Sequence, residues 1–146
     1  MDRVPPAIRS GMMSAVRGRD TGPERLVRAA VFAAGYRYRL HRRDLPGAPD
    51  LVLPRYRTAV FVHGCFWHGH SCPRGRRPGT NTAFWNAKLD RNIARDRAAV
   101  AALRRAGWRV VAIWGCTLSR GVTRLLALLD RQRHDARWRS FIELTR

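Results

Sequence analysis

A three-layer α/β domain, with a central mixed sheet flanked by helices, is the fold that this sequence predicts. Two observations carry the prediction. Segments with helical and strand periodicity alternate along the chain. The run Ala59-Val60-Phe61-Val62 is wholly apolar, as a strand covered on both faces must be. Its 146 residues are the size of one ordinary domain, and a hydrophobic fraction of 45% suffices for a core.

The elements follow in order. Residues 5–18 read as a short basic helix with Ile8, Met12, Met13 and Val16 on one side. Thr21-Gly22-Pro23-Glu24 is a helix start, in which Thr21 caps, Pro23 suits the first turn and Glu24 closes a capping box. Leu26, Val27, Ala30, Val31 and Ala34 continue at helical spacing until Gly35. Tyr36, Tyr38 and Leu40 alternate as a strand does. A turn-rich stretch from Leu45 to Pro49 leads into a second strand, Asp50 to Leu53, and Thr58 to Val62 is the third. Residues 63–81 are an irregular loop rich in Gly, His, Cys, Pro and Arg. A long helix runs from about Thr82 to Ala106, ended by Gly107, and Trp108 to Ile113 is the fourth strand. Two short helices, near Val122 to Asp130 and Ala136 to Leu144, complete the order.

Charge points to a polyanionic partner. There are 29 basic against 10 acidic residues, a net charge of +19, and Lys88 is the one lysine among the arginines. Nucleic acid neutralises such a charge, and arginine suits bidentate phosphate contacts. A GC-rich genome would favour arginine over lysine without explaining the excess over acids. No apolar run follows the N-terminal charges and no segment matches a membrane span, so a secretory signal or membrane anchor is not expected. Three cysteines cannot all pair within one chain, which favours metal binding over disulfides.

The stretch His63-Gly-Cys-Phe-Trp-His-Gly-His-Ser-Cys72 concentrates three of the five histidines and two of the three cysteines. Cys65, a histidine, Cys72 and the distant Cys116 can complete a tetrahedral zinc site, with His68 and His70 both candidates for the nitrogen ligand. Pro49-Asp50 opens one strand and the next ends at Val62-His63, which brings Asp50 and His63 to neighbouring positions. A carboxylate there can hold a hard cation such as magnesium, although an aspartate after proline is also an ordinary turn residue. Asp96 falls within the apolar stripe Leu89, Ile93, Val100, Leu103 of the long helix and should face inward, towards a histidine near the metal or an arginine such as Arg95 or Arg97. Locally, Glu24 is a capping residue. Phe66, Trp67 and Trp85 suit stacking on bases, helped by Arg74, Arg76 and Arg77, or alternatively cover of the metal site.

Leu45-Pro-Gly-Ala-Pro-Asp50, then Val60-Phe-Val-His-Gly-Cys-Phe-Trp-His68 and Cys72, closely resemble the very short patch repair endonucleases of bacteria. Arg19-Asp20-Thr21, Phe84-Trp85, Arg95-Asp96-Arg97 and Gly107-Trp108-Arg109-Val110 extend the similarity from about Ser10 to Cys116. The resemblance implies a restriction-endonuclease-like fold, with Phe61 and His63 where that superfamily often has an acid and a lysine. It implies one endonuclease domain over 1–146, with residues 1–18 a DNA-clamping helix. It implies nicking of double-stranded DNA 5′ to the thymine of a T:G mismatch left by deamination of 5-methylcytosine.

Residue by residue, the resemblance makes Asp50 and the Val62 carbonyl the magnesium ligands, His68 the general base, and His63, Asp96 and Glu24 supporting catalytic groups. Cys65, His70, Cys72 and Cys116 become the structural zinc ligands, and Phe66, Trp67 and Trp85 the intercalating wedge. A monomer in the bacterial cytoplasm, nucleoid-associated and partnered by mismatch-repair proteins, is also implied. Val62 departs from the family's usual threonine but keeps the main-chain carbonyl. The rival classes are a general restriction-like nuclease and a non-catalytic zinc module that binds nucleic acid.

Overall fold

Thr21 caps the first helix as its sequence predicts: its hydroxyl accepts the Glu24 N–H (3.3 Å), and α1 spans Gly22–Ala33. The computed structural model describes residues 20–144, with side chains as far as Arg137. The expected basic helix over 5–18, and the clamp placed on residues 1–18, lie outside the described residues. After α1, Gly35 takes φ 90°, and the Tyr36 N–H reaches back to the Val31 carbonyl (3.2 Å), a glycine-terminated helix end.

Four strands follow: β1 (Arg39–Leu40), β2 (Leu51–Leu53), β3 (Thr58–His63) and β4 (Arg109–Trp114). They lie in that order, antiparallel at β1–β2 and β2–β3 and parallel at β3–β4, with helix α2 (Thr82–Arg105) between the last two in sequence. The sheet is therefore mixed. β1 is shorter than the alternation from Tyr36 predicts. Tyr36 is instead core, edge-on to Tyr56 with its hydroxyl bonded to Asp130.

β3 is buried along its whole length, and its alternation divides the core. Val60 and Val62 pack with Leu51, Leu53 and Ile113 beneath Val27 and Val31 of α1 and Leu125 and Leu129 of the last helix. Ala59 and Phe61 face the other way, against Leu103 of α2 with Trp108 and Val110 beside them. Helices thus cover both faces of the sheet.

The C-terminal part differs from expectation. Instead of two short helices there is one, α3 (Leu118–Leu144). Arg131–Asp135 are polar but contain neither glycine nor proline, so nothing interrupts the helical hydrogen bonds. It also begins at Leu118 and not near Val122, so Gly121 lies inside it. That glycine allows close approach, since a Cβ there would lie 2.6 Å from Ile113 Cγ2. Among the described residues, no helix is long and apolar enough to cross a membrane.

Candidate active site and metal centre

The β2–β3 pairing delivers the first two site residues. Asp50 immediately precedes β2, and its Oδ2 accepts the Val62 N–H from β3 at 2.7 Å. Burial pushes the Asp50 carboxyl up to about 6; the Val62 N–H opposes that shift and the Glu24 carboxylate reinforces it. Glu24 is 5% exposed. Its Oε2 accepts the Asp20 N–H (2.9 Å), one residue earlier than the usual capping box. Glu24 therefore ties down the residue before the Thr21 cap instead of closing the box on Thr21 itself, and it lines the cleft that holds Asp50.

His68 comes from the loop after β3 and Asp96 from the middle of α2. His68 Nδ1 lies 2.6 Å from Asp96 Oδ2. Asp96 thus faces inward as its helical spacing predicts and meets the histidine, while Arg95 bonds Asn92. With Nδ1–H donated to the carboxylate, Nε2 keeps a lone pair that can accept a proton. His63, the last residue of β3, stacks on His68 with ring centroids 3.9 Å apart. Burial, and then the adjacent His68, lower its pKa to about 4, so it stays neutral at physiological pH. A cleft of about 620 Å³ is lined by Glu24, Asp50, Val62, His63, His68 and Asp96, with Trp67 at its wall. The structure therefore brings together every residue singled out for catalysis.

A second cluster lies beyond the same loop. Ligand atoms of Cys65, His70, Cys72 and Cys116 all lie within 4.8 Å of one another. Cys116 Sγ and His70 Nδ1 are 3.4 Å apart. A tetrahedral zinc with sulfur at about 2.3 Å and nitrogen at about 2.0 Å separates such a pair by about 3.5 Å, so the donor set fits that ion. His70, not His68, is the nitrogen in this cluster, which resolves the choice left open by spacing. Hydrogen bonding from His70 draws the Cys72 thiol down to about 6, towards the thiolate that binds metal. Gly75 closes the loop where no side chain fits, since a Cβ there would lie 1.9 Å from the His70 carbonyl oxygen.

Phe66, Trp67 and Trp85 form one aromatic group, with centroid separations of 5.0, 5.4 and 6.1 Å. Phe84 adds an exposed ring against Trp85. The Lys88 ammonium lies 5.4, 5.8 and 5.7 Å from the rings of Trp67, Phe84 and Trp85. Its sequence signal was its singularity among arginines. Asn92 was not singled out; its side chain donates to the Trp67 carbonyl at 3.1 Å. Trp114 was also missed. It pairs in register with His63 and contacts the rings of His63 and His70. Only the strand register reveals that placement.

Residues 1–74 match the family model described as DNA mismatch endonuclease Vsr. Over 118 residues the chain is 49% identical to the type II nicking enzyme V.XorIIP of Xanthomonas oryzae pv. oryzae, covering 81% of this chain and 87% of that protein. Over 110 residues it is 44% identical to the type II nicking enzyme V.NmeAIP of Neisseria meningitidis, covering 75% and 79%. It is 41% identical over 112 residues to the DNA mismatch endonuclease Vsr of Escherichia coli, covering 77% and 72%. A family model that spans half of the sequence and relatives above 40% identity across most of it agree, and the chain belongs to the Vsr family of DNA mismatch endonucleases.

Proposed function

We propose that this endonuclease hydrolyses one strand of double-stranded DNA 5′ to the thymine of a T:G mismatch, with magnesium at Asp50 and the Val62 carbonyl. The observation that carries this reading is the His68–Asp96 pair, set in one cleft with Asp50 and Glu24. His68 Nε2 takes a proton from the attacking water, and Asp96 holds the ring and balances the imidazolium that forms. Neutral His63 packs on His68 without opposing that charge. Glu24, which lines the same cleft as Asp50, would face the water shell of a metal held there. Magnesium, when bound, supplies charge against the scissile phosphate and lowers the pKa of a bound water.

The rest of the reading follows from the same assignment. The fold is restriction-endonuclease-like, a single domain over 1–146 with residues 1–18 as a DNA clamp. Zinc on Cys65, His70, Cys72 and Cys116 is structural and steadies the loop that carries His68 and the wedge. Phe66, Trp67 and Trp85 enter the base stack beside the mismatch, where a wobble pair is more easily distorted than a matched one. Arginines hold the phosphates. The protein acts as a monomer in the bacterial cytoplasm, near the nucleoid, and works with mismatch-repair proteins.

The test is a magnesium-dependent nicking assay on a labelled T:G duplex in several sequence contexts. A T:A duplex and the Asp50→Ala protein serve as controls. A single nick 5′ to the mismatched thymine, absent from both controls, is the expected result. Cutting of both duplexes would replace the reading with a general nuclease. Tight binding without cutting in any context would replace it with a binding module.

A further inference from the structure

Three rings flank the His63 imidazole, and among the described residues none hydrogen-bonds to it. His68 lies on it at 3.9 Å and Phe61 is stacked at 5.5 Å. Trp114 is the third neighbour, 5.1 Å away and tilted by 52°. The same indole lies nearly parallel to His70, at 4.2 Å and 21°. His70 belongs to the cysteine cluster that fits zinc, and Cys116 is two residues beyond Trp114. A chain of ring contacts therefore runs from His70 through Trp114 and His63 to His68, where Asp96 anchors the far end at 2.6 Å.

We propose that Trp114 is a positioning residue for the nicking reaction, transmitting the fixed orientation of His70 in the metal centre to the base His68 through His63. The inference rests on the assignment of His68 as base. Interiors are close-packed, so a ring held on several sides keeps one orientation and a ring beside a void does not. Parallel register places Trp114 and His63 on the same sheet face, so the strand pairing itself fixes this contact. A metal held by the cluster would immobilise His70, and the indole packed against it would then be a rigid wall for His63. Without that wall His63 can tilt, and His68 loses the surface that sets its plane. Catalysis is sensitive to such shifts: a misplacement of about 1 Å can lower a rate by about 100-fold.

The test compares wild type, Trp114→Leu, Trp114→Phe and His68→Ala in single-turnover nicking of a T:G duplex, with bound zinc and duplex affinity measured for each. Trp114→Leu should retain zinc and bind the duplex within about threefold of wild type, yet nick roughly 10- to 100-fold more slowly. Trp114→Phe, which keeps a smaller ring, should fall between, roughly fivefold below wild type. Wild-type nicking by Trp114→Leu beside an inactive His68→Ala would overturn the proposal alone. So would loss of zinc, or equal losses in binding and nicking, which would make the indole a scaffold of the fold. Were the leucine variant not to fold, Trp114→Phe decides: slower nicking with zinc and binding intact supports positioning, and an unchanged rate overturns it. Wild-type nicking by His68→Ala would remove the base assignment, and with it the proposal.

Discussion

His68 Nδ1 and Asp96 Oδ2 stand 2.6 Å apart across 28 residues of sequence, one on the loop after β3 and the other in mid-α2. The contact fixes the imidazole tautomer, with Nδ1–H on the carboxylate and a lone pair left on Nε2. Replacing His68 with alanine should lower single-turnover nicking by about 100- to 10,000-fold, the usual worth of a positioned acid–base group. Duplex affinity should change by less than about fivefold, because phosphate contacts supply most of it. Asp96→Asn should lose less than His68→Ala, since the amide can still hold the ring. Parallel losses in binding and rate for His68→Ala would argue against a base.

Asp50 gives a pH prediction of definite sign. Its folded pKa is raised to about 6 from 3.8, burial being the main cause. The metal-free folded chain therefore binds this proton more tightly than the unfolded chain does. That contribution to stability is complete below about 3.8 and is lost as pH rises through about 6. At pH 8 the ionised carboxylate costs stability unless a cation relieves it. Asp50→Asn should thus be more stable than wild type at pH 8 without metal, by about 1–2 kcal/mol, and should lose that advantage at pH 4. Magnesium should raise the wild-type Tm at pH 8 and leave that of the variant unchanged. Urea titrations at both pH values, with and without magnesium, check this. An Asn variant less stable than wild type at pH 8 would refute it.

Much of this site is legible in the sequence because its parts are local. The Asp50 and His63 pair follows from a hairpin whose strand ends are adjacent. Asp96 follows from helical spacing, which turns a stripe of apolar residues inward whatever they face. The partner of Asp96 is less legible, since spacing supplies inwardness but not identity; histidine and arginine were both open. Trp114 was illegible because its neighbours depend on the parallel register between β3 and β4, set by tertiary packing. The single helix α3 was missed for the opposite reason. The polar residues Arg131–Asp135 fall between the two expected helices, yet they belong to one continuous helix, in which Arg133 packs its guanidinium over the Tyr36 ring at 4.2 Å. The helix also starts before Gly121, where a Cβ would collide with Ile113.

Removal of one residue of the cysteine–histidine cluster should act through the fold. Cys116 joins Cys65, His70 and Cys72 from the far end of β4, so the metal would tie the loop to the sheet. Structural zinc adds directly to folding free energy. Cys116→Ala should lose stoichiometric zinc, and its Tm should fall by about 10 °C, equivalent to about 3–4 kcal/mol in a domain of this size. Metal analysis together with a thermal scan tests the assignment. One tightly retained zinc would exclude Cys116 as a needed ligand.

The aromatic group makes the last prediction, because its two readings separate by experiment. Phe66, Trp67 and Trp85 pack on one another beside the cleft, and Trp67 lines it. If they enter the stack, each ring contributes about 1–3 kcal/mol of binding, and Trp67→Ala should weaken T:G duplex affinity by about 5- to 150-fold. A matched duplex resists opening, so its weaker binding relies more on phosphate contacts and should change less. Discrimination between T:G and T:A duplexes should therefore narrow in Trp67→Ala. Zinc content should stay at the wild-type level, since none of the three rings offers a metal ligand. If the rings only cover the metal centre, the opposite pattern follows: zinc and Tm fall, and both duplexes lose affinity equally. Measuring zinc alongside the two affinities on one preparation tells the readings apart.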